Sequence, residues 1–103
     1  MFACIYGVEL PDSRRALLLE CARRFSPHVE DSALDAVILD AAGSSSLFGA
    51  PRSIAHEIAR SAAELGLKVN IAIASNPDAA FHAARGFPGI SVIPPGQEAE
   101  FLG

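Results

Sequence analysis

Two carboxylates, Asp35 and Asp40, bracket an apolar run in Ser32-Ala33-Leu34-Asp35-Ala36-Val37-Ile38-Leu39-Asp40-Ala41-Ala42-Gly43. Paired acids of this kind are the raw material of a divalent-metal site for phosphoryl transfer, which needs several carboxylates converging on ions about 3.5 to 4 Å apart. Residues five apart on a strand point to opposite faces, so without a bulge at most one of the two can serve such a site. The other candidates are weaker. Gly43-Ser44-Ser45-Ser46 has the small residues that let backbone amides approach a phosphate, but lacks the lysine and glycine spacing of a P-loop. The same serines have no glycine-serine elbow around them and no His and Asp partners for a nucleophile. His28, His56 and His82 are 28 and 26 residues apart, with no ligand-spaced acid or cysteine beside them.

The remaining chemistry is charge and sulfur. Eight basic residues oppose twelve acidic ones for a net charge of -4, the wrong sign for a domain that grips phosphate backbones unaided. Arg14-Arg15 and Arg23-Arg24 form two local basic pairs, which suit a solvated helix surface as well as a nucleic-acid contact. Cys4 and Cys21 read as small buried hydrophobes, with a disulfide as the alternative.

These residues must be positioned by one domain, because 103 residues suffice for a single core. No apolar run is long enough to cross a bilayer, and "MFACIYGVEL" lacks the basic flank of a signal peptide, so no membrane association and a cytoplasmic location are expected. Phe2 to Val8 suits a buried strand. Leu17, Leu18, Cys21, Ala22 and Phe25 recur at helical spacing, with Asp12 or Ser13 as N-cap and Pro27 as the stop. Val29 to Leu34 and Ala36 to Ala41 read as an antiparallel pair or one bent strand, with Phe2 to Val8 as the neighbour. Pro51 opens a helix whose Ile54, Ile58, Ala62 and Leu65 share a face, closed by Gly66. Val69 to Ala74 alternates as a strand, Asn76 or Ser75 caps a helix over Asp78 to Arg85, and Ile90 to Ile93 is a last short strand before a helical turn at Gln97 to Leu102. This order predicts an α+β, ferredoxin-like two-layer fold, a mostly antiparallel sheet with helices on one face; a doubly wound flavodoxin-like sheet is the alternative.

Several stretches in series resemble the palm domain of Y-family (translesion, UmuC/DinB-like) DNA polymerases. Ala22 to Glu30, "ARRFSPHVE", is similar to that family's Ser-Pro-x-Val-Glu stretch. Ala33 to Gly43, "ALDAVILDAAG", resembles its Ser-Ile-Asp-Glu-Ala-Phe-Leu-Asp-Val-Thr-Gly strand. Leu47 to Asn76 resembles its Leu-Phe-Gly, helix and Ser-x-Gly-Ile-Ala-x-Asn series, and Val92 to Gly96 its Val-Ile-Pro end.

By this resemblance Asp35 takes the place of the catalytic, metal-binding aspartate. Ala36 stands where the adjacent glutamate belongs, and Tyr6 where the first strand's metal aspartate belongs. Pro77 replaces the lysine after Asn76, and Asp40 matches an aspartate that is not a metal ligand. One carboxylate of three cannot hold two Mg²⁺ ions. The resemblance therefore implies a noncatalytic palm module, of the ImuB type found in the bacterial mutasome, acting as a scaffold in DNA damage tolerance. On that reading no cofactor is expected, and Asp35 is the remnant of a site. Mg²⁺ at Asp35 belongs to the alternative, a fragment of a working polymerase. A stand-alone regulatory or ligand-binding domain is the third reading. The expected partners are DNA replication and repair proteins met through the full-length protein, with weak or absent DNA binding by this acidic chain and a homodimer through a sheet edge. Residues 1–103 are expected to be one palm-like domain, without the fingers insertion, thumb or little finger, either as a trimmed piece or as a much reduced protein.

Overall fold

The computed structural model describes residues 1–26, 29–33, 35–41 and 50–93, with only the backbone at 31–33. In chain order the elements are β1 (Phe2–Gly7), a 3-10 turn (Asp12–Arg14), α1 (Arg15–Arg23), β2 (Val29–Ala33), β3 (Ala36–Asp40), α2 (Pro51–Glu64), β4 (Val69–Ala74), α3 (Pro77–Gly86) and β5 (Ile90–Val92). The expected helical turn at Gln97 to Leu102 lies outside the described residues.

Local chemistry accounts for most of these boundaries. Pro51 sits in the first turn of α2, where its missing N–H costs nothing. At the other end Gly66 adopts φ +74°, and the Gly66 and Leu67 amides donate to the Ala63 and Ala62 carbonyls at 3.0 and 2.9 Å, a Schellman closure that only a residue tolerant of positive φ makes cheaply. The Asn76 side chain accepts from the Ala79 amide at 2.8 Å and caps α3, as expected. The start of α1 is a correction. Asp12 and Ser13 are spent in the 3-10 turn, so Arg14 holds the N-cap position and no side chain caps the helix.

The sheet order is β2-β3-β1-β4-β5. β1 lies antiparallel between β3 and β4, and β2 lies antiparallel to β3 with an irregularity between Asp31 and Ala33. The β4 and β5 strands are parallel. The first four strands with α1 and α2 thus form the expected α+β, ferredoxin-like arrangement, and the antiparallel centre excludes the flavodoxin-like alternative.

Alternation along the strands divides the core in two. Ala3, Ile5, Val37, Leu39, Ile71 and Ile73 face α1 and α2, meeting Leu18, Cys21, Ile54 and Ile58. Cys4, Ala36, Ile38, Ala72 and Ala74 face the other way, against Ala79, Ala80, Ala83 and Ala84 of α3. Only α1 and α2 share a face, so the expectation that all helices lie on one side is corrected at α3. The crossovers β3-α2-β4 and β4-α3-β5 join parallel strands and move the chain in the same direction across the sheet. Helices on opposite faces then require opposite hands, whereas the usual right-handed preference would have stacked α3 beside α2.

Asn70 fastens α3 across its face of the sheet. Its Nδ2 donates to the Ala84 carbonyl at 3.1 Å, and its Oδ1 accepts from the Gly89 amide at 3.2 Å. Asn70→Ala is expected to cost about 1 to 2 kcal/mol. The check is the urea midpoint at constant m value; an unchanged midpoint would mean that α3 is held by packing alone.

Candidate functional site

The neighbouring antiparallel strands β1 and β3 bring the three positions of the expected metal site together. In the antiparallel register of β1 and β3, Tyr6 is the partner of Ala36, and the Gly7 amide donates to the Asp35 carbonyl at 2.7 Å. Because Gly7 and Asp35 form a hydrogen-bonded pair, the Tyr6–Ala36 pair is the non-hydrogen-bonded kind, with Cα atoms about 4.5 Å apart and side chains at their closest. Tyr6 is also the partner of Asn70 on β4. Ala36, Tyr6 and Asn70 therefore form one row across the sheet, on the face covered by α3.

Geometry converges here and chemistry does not. Asp35 is half-buried in the turn that leads into β3, Tyr6 is half-buried, and Ala36 is 0% exposed. The three positions supply one carboxylate, one phenol and one methyl group. Mg²⁺ is a hard cation that takes oxygen ligands, and two such ions need several carboxylates to neutralise them. Among the described residues no group of three or more His, Cys, Asp or Glu side chains gathers at a metal-ligand spacing. The donor set does not fit a two-ion site.

Asp40 is not part of this place. It ends β3 opposite Phe2, about 16 Å from Asp35 at the strand rise of 3.3 Å per residue. Pro77 is separated too. β4 ends at Ala74, the partner of Phe2, so α3 begins at the Phe2 end of the sheet and runs back until Ala84 meets Asn70. Seven residues of helix set Pro77 about 10 Å from Ala84 along the axis.

The thiol nearest the site is inert. Burial in the α3 face pushes the Cys4 thiol up to about 12 from 9.0, and the negative charge of Asp35 adds to the rise. Cys21 is raised as well, by burial first, and its Sγ donates to the Ile58 carbonyl at 3.7 Å. The two cysteines are free and lie on opposite faces of the sheet, so the disulfide alternative is excluded.

The other candidates resolve as scaffold or surface. Arg14 donates to the Gly66 carbonyl at 2.8 Å, answering the orphan carbonyls at the end of α2. Arg24 donates to Ser61 Oγ at 2.8 Å and lies 3.9 Å from Glu64. One arginine of each basic pair thus ties the α1 segment to the last turns of α2. His56 is exposed on α2, and His82 is exposed on α3 with its ring edge-on to Phe81 at 5.8 Å. His28, Leu34 and the stretch Gly43 to Ser46 lie outside the described residues. No helix among the described residues is long and apolar enough to cross a membrane.

Asn70 had no place among the expected functional residues. Its signal in the sequence is a polar residue in the otherwise apolar alternation of Val69 to Ala74, on the face opposite Ile71 and Ile73.

Residues 8–85 match the impB/mucB/samB family. The chain is also similar to DNA polymerase IV 2 of Mesorhizobium japonicum, with 41% identity over 81 residues. That alignment takes in 76% of this chain and 20% of the relative, so the chain spans a fifth of that protein's length.

Proposed function

This chain belongs to the impB/mucB/samB family, the Y-family DNA polymerase domain, and from that membership we propose that it is a noncatalytic palm module acting as a scaffold in DNA damage tolerance. The observation that carries the proposal is the row Ala36, Tyr6 and Asn70, which occupies the place beside Asp35 where metal carboxylates would be needed. A lone carboxylate next to a phenol and a methyl group cannot organise two divalent ions. Asp35 is on this reading a remnant, and no Mg²⁺ is needed for the module's role.

On this proposal the functional counterpart is the ImuB-type mutasome subunit. Its contacts with replication and repair proteins would be made through the full-length protein in the cytoplasm. With a net charge of -4, DNA affinity of this chain alone is weak or absent. The sheet ends in β2 and β5, either of which could pair with a second copy.

The competing reading, a palm fragment of an active polymerase, is favoured by one observation, the 41% identity to a protein named as a DNA polymerase. Primer extension by the full-length protein separates the two. Asp35→Asn is expected to leave stability and any extension unchanged. Loss of extension in that variant would defeat the noncatalytic proposal.

A further inference from the structure

The mismatch between the donor set and a metal site has an internal logic. Ala36 is entirely buried, although it is the first residue of β3 and follows a half-buried turn residue. Its partner across the ladder is Tyr6, whose side chain packs into the same apolar cluster and is the largest on the Ala36, Tyr6 and Asn70 row. A non-hydrogen-bonded antiparallel pair holds its two side chains closer than any other cross-strand arrangement. The ring and the α3 alanines therefore close over the alanine together, and the small alanine leaves room for its larger partner.

We infer that Tyr6 and Ala36 are a coupled pair that seals the site, leaving its backbone frame intact. This deepens the noncatalytic reading and rests on it. A carboxylate placed at position 36 alone would enter a space closed by the ring, buried and without a partner, which is among the costliest changes a core can take. A carboxylate at position 6 alone opens the space but adds only a second ligand to Asp35. Both together remove the ring from beside position 36 and put carboxylates at two partnered positions of β1 and β3, next to the backbone pair Gly7 and Asp35. Metal binding is then a property of the pair of substitutions and of neither one.

The test is Mn²⁺ binding followed by electron paramagnetic resonance, with the thermal midpoint of each protein measured with and without the ion. The wild-type chain, Tyr6→Asp and Ala36→Glu are expected to show no saturable binding up to about 1 mM Mn²⁺. The double variant Tyr6→Asp/Ala36→Glu is expected to bind with a submillimolar Kd and to melt higher when Mn²⁺ is present. Adding Asp35→Asn to it should weaken binding by at least about tenfold. If Ala36→Glu alone binds as well as the double variant, or a folded double variant binds nothing, the coupling is refuted while the noncatalytic reading stands. Saturable binding by the wild-type chain that Asp35→Asn removes would instead defeat the noncatalytic reading. Should the double variant fail to fold, Tyr6→Asp/Ala36→Asp, one methylene shorter, replaces it, and failure of both to bind overturns the inference.

Discussion

Ile5→Ala is expected to lower the thermal midpoint by about 12 to 24 °C, a loss of about 3 kcal/mol for a domain of this size. Ile5 is fully buried on β1, the central strand, between its partners Val37 and Ile71. It faces the cluster that α1 and α2 cover, where Leu18, Ile54 and Ile58 are also fully buried. Removing three carbons there leaves a cavity bounded by two strands and two helices, and the sheet cannot close on it without breaking a ladder. Ile5→Val, which removes one methylene, is the graded control, with a cost of about 1 kcal/mol. Circular dichroism melts decide the matter. A shift below about 5 °C for Ile5→Ala would mean that the α1 and α2 face does not carry the main core.

The second large effect is the silence of Cys4. With its pKa pushed from 9.0 to about 12, the native thiol holds about a thousandth of the thiolate of a free cysteine near neutral pH, so alkylation at pH 8 should be slower by about that factor than in urea. A Cys21→Ala background isolates the signal. The same shift sets a stability window. The folded state holds the Cys4 proton more tightly than the unfolded chain, so this contribution is complete below pH 9 and is lost as pH rises from 9 towards 12. Alkaline titration of the wild type against Cys4→Ala should reveal it as extra destabilisation in that range alone. Native labelling as fast as in urea would refute the burial of the thiol.

Much of the fold was legible because its strongest signals are local. Pro51 and Gly66 bound α2, Asn76 caps α3, and the alternation of Ile71 and Ile73 marks β4. The pairing of the apolar run after Asp35 with the first strand was also foreseeable, from two buried strands in need of partners. What was not legible is relative placement. The buried face of α3 is built of four alanines, which pack against either side of a sheet equally well, so its crossing to the second face left no mark in the pattern. Asp12 and Ser13 both suit an N-cap, and whether a 3-10 turn absorbs them depends on Pro11 and the path from β1.

The candidate site divides along the same line. That Ala36 and Tyr6 stand where acids belong followed from the resemblance to Y-family polymerases. That the two residues are partners on adjacent strands, with Asn70 as the third member of the row, is a matter of register, and register is a long-range property. Pro77 shows the converse: its place in the series says nothing of the helix length that separates it from Tyr6.

The opposite hands of the two crossovers give the molecule two unequal skins. The α1 and α2 side is riveted by leucine and isoleucine, while α3 offers its side of the sheet a buried face of four alanines, with Phe81 half-buried and Asn70 hydrogen-bonded to Ala84. Buried apolar area sets the strength of such grips, and an alanine offers a small fraction of what an isoleucine does. The native fluctuations of lowest cost are therefore those that lift α3 while the other layer stays shut, a separate foldon on one sheet. Cys4 lies beneath that flap, so the lifting of a single helix, and not the melting of the whole chain, is what would restore its ordinary acidity.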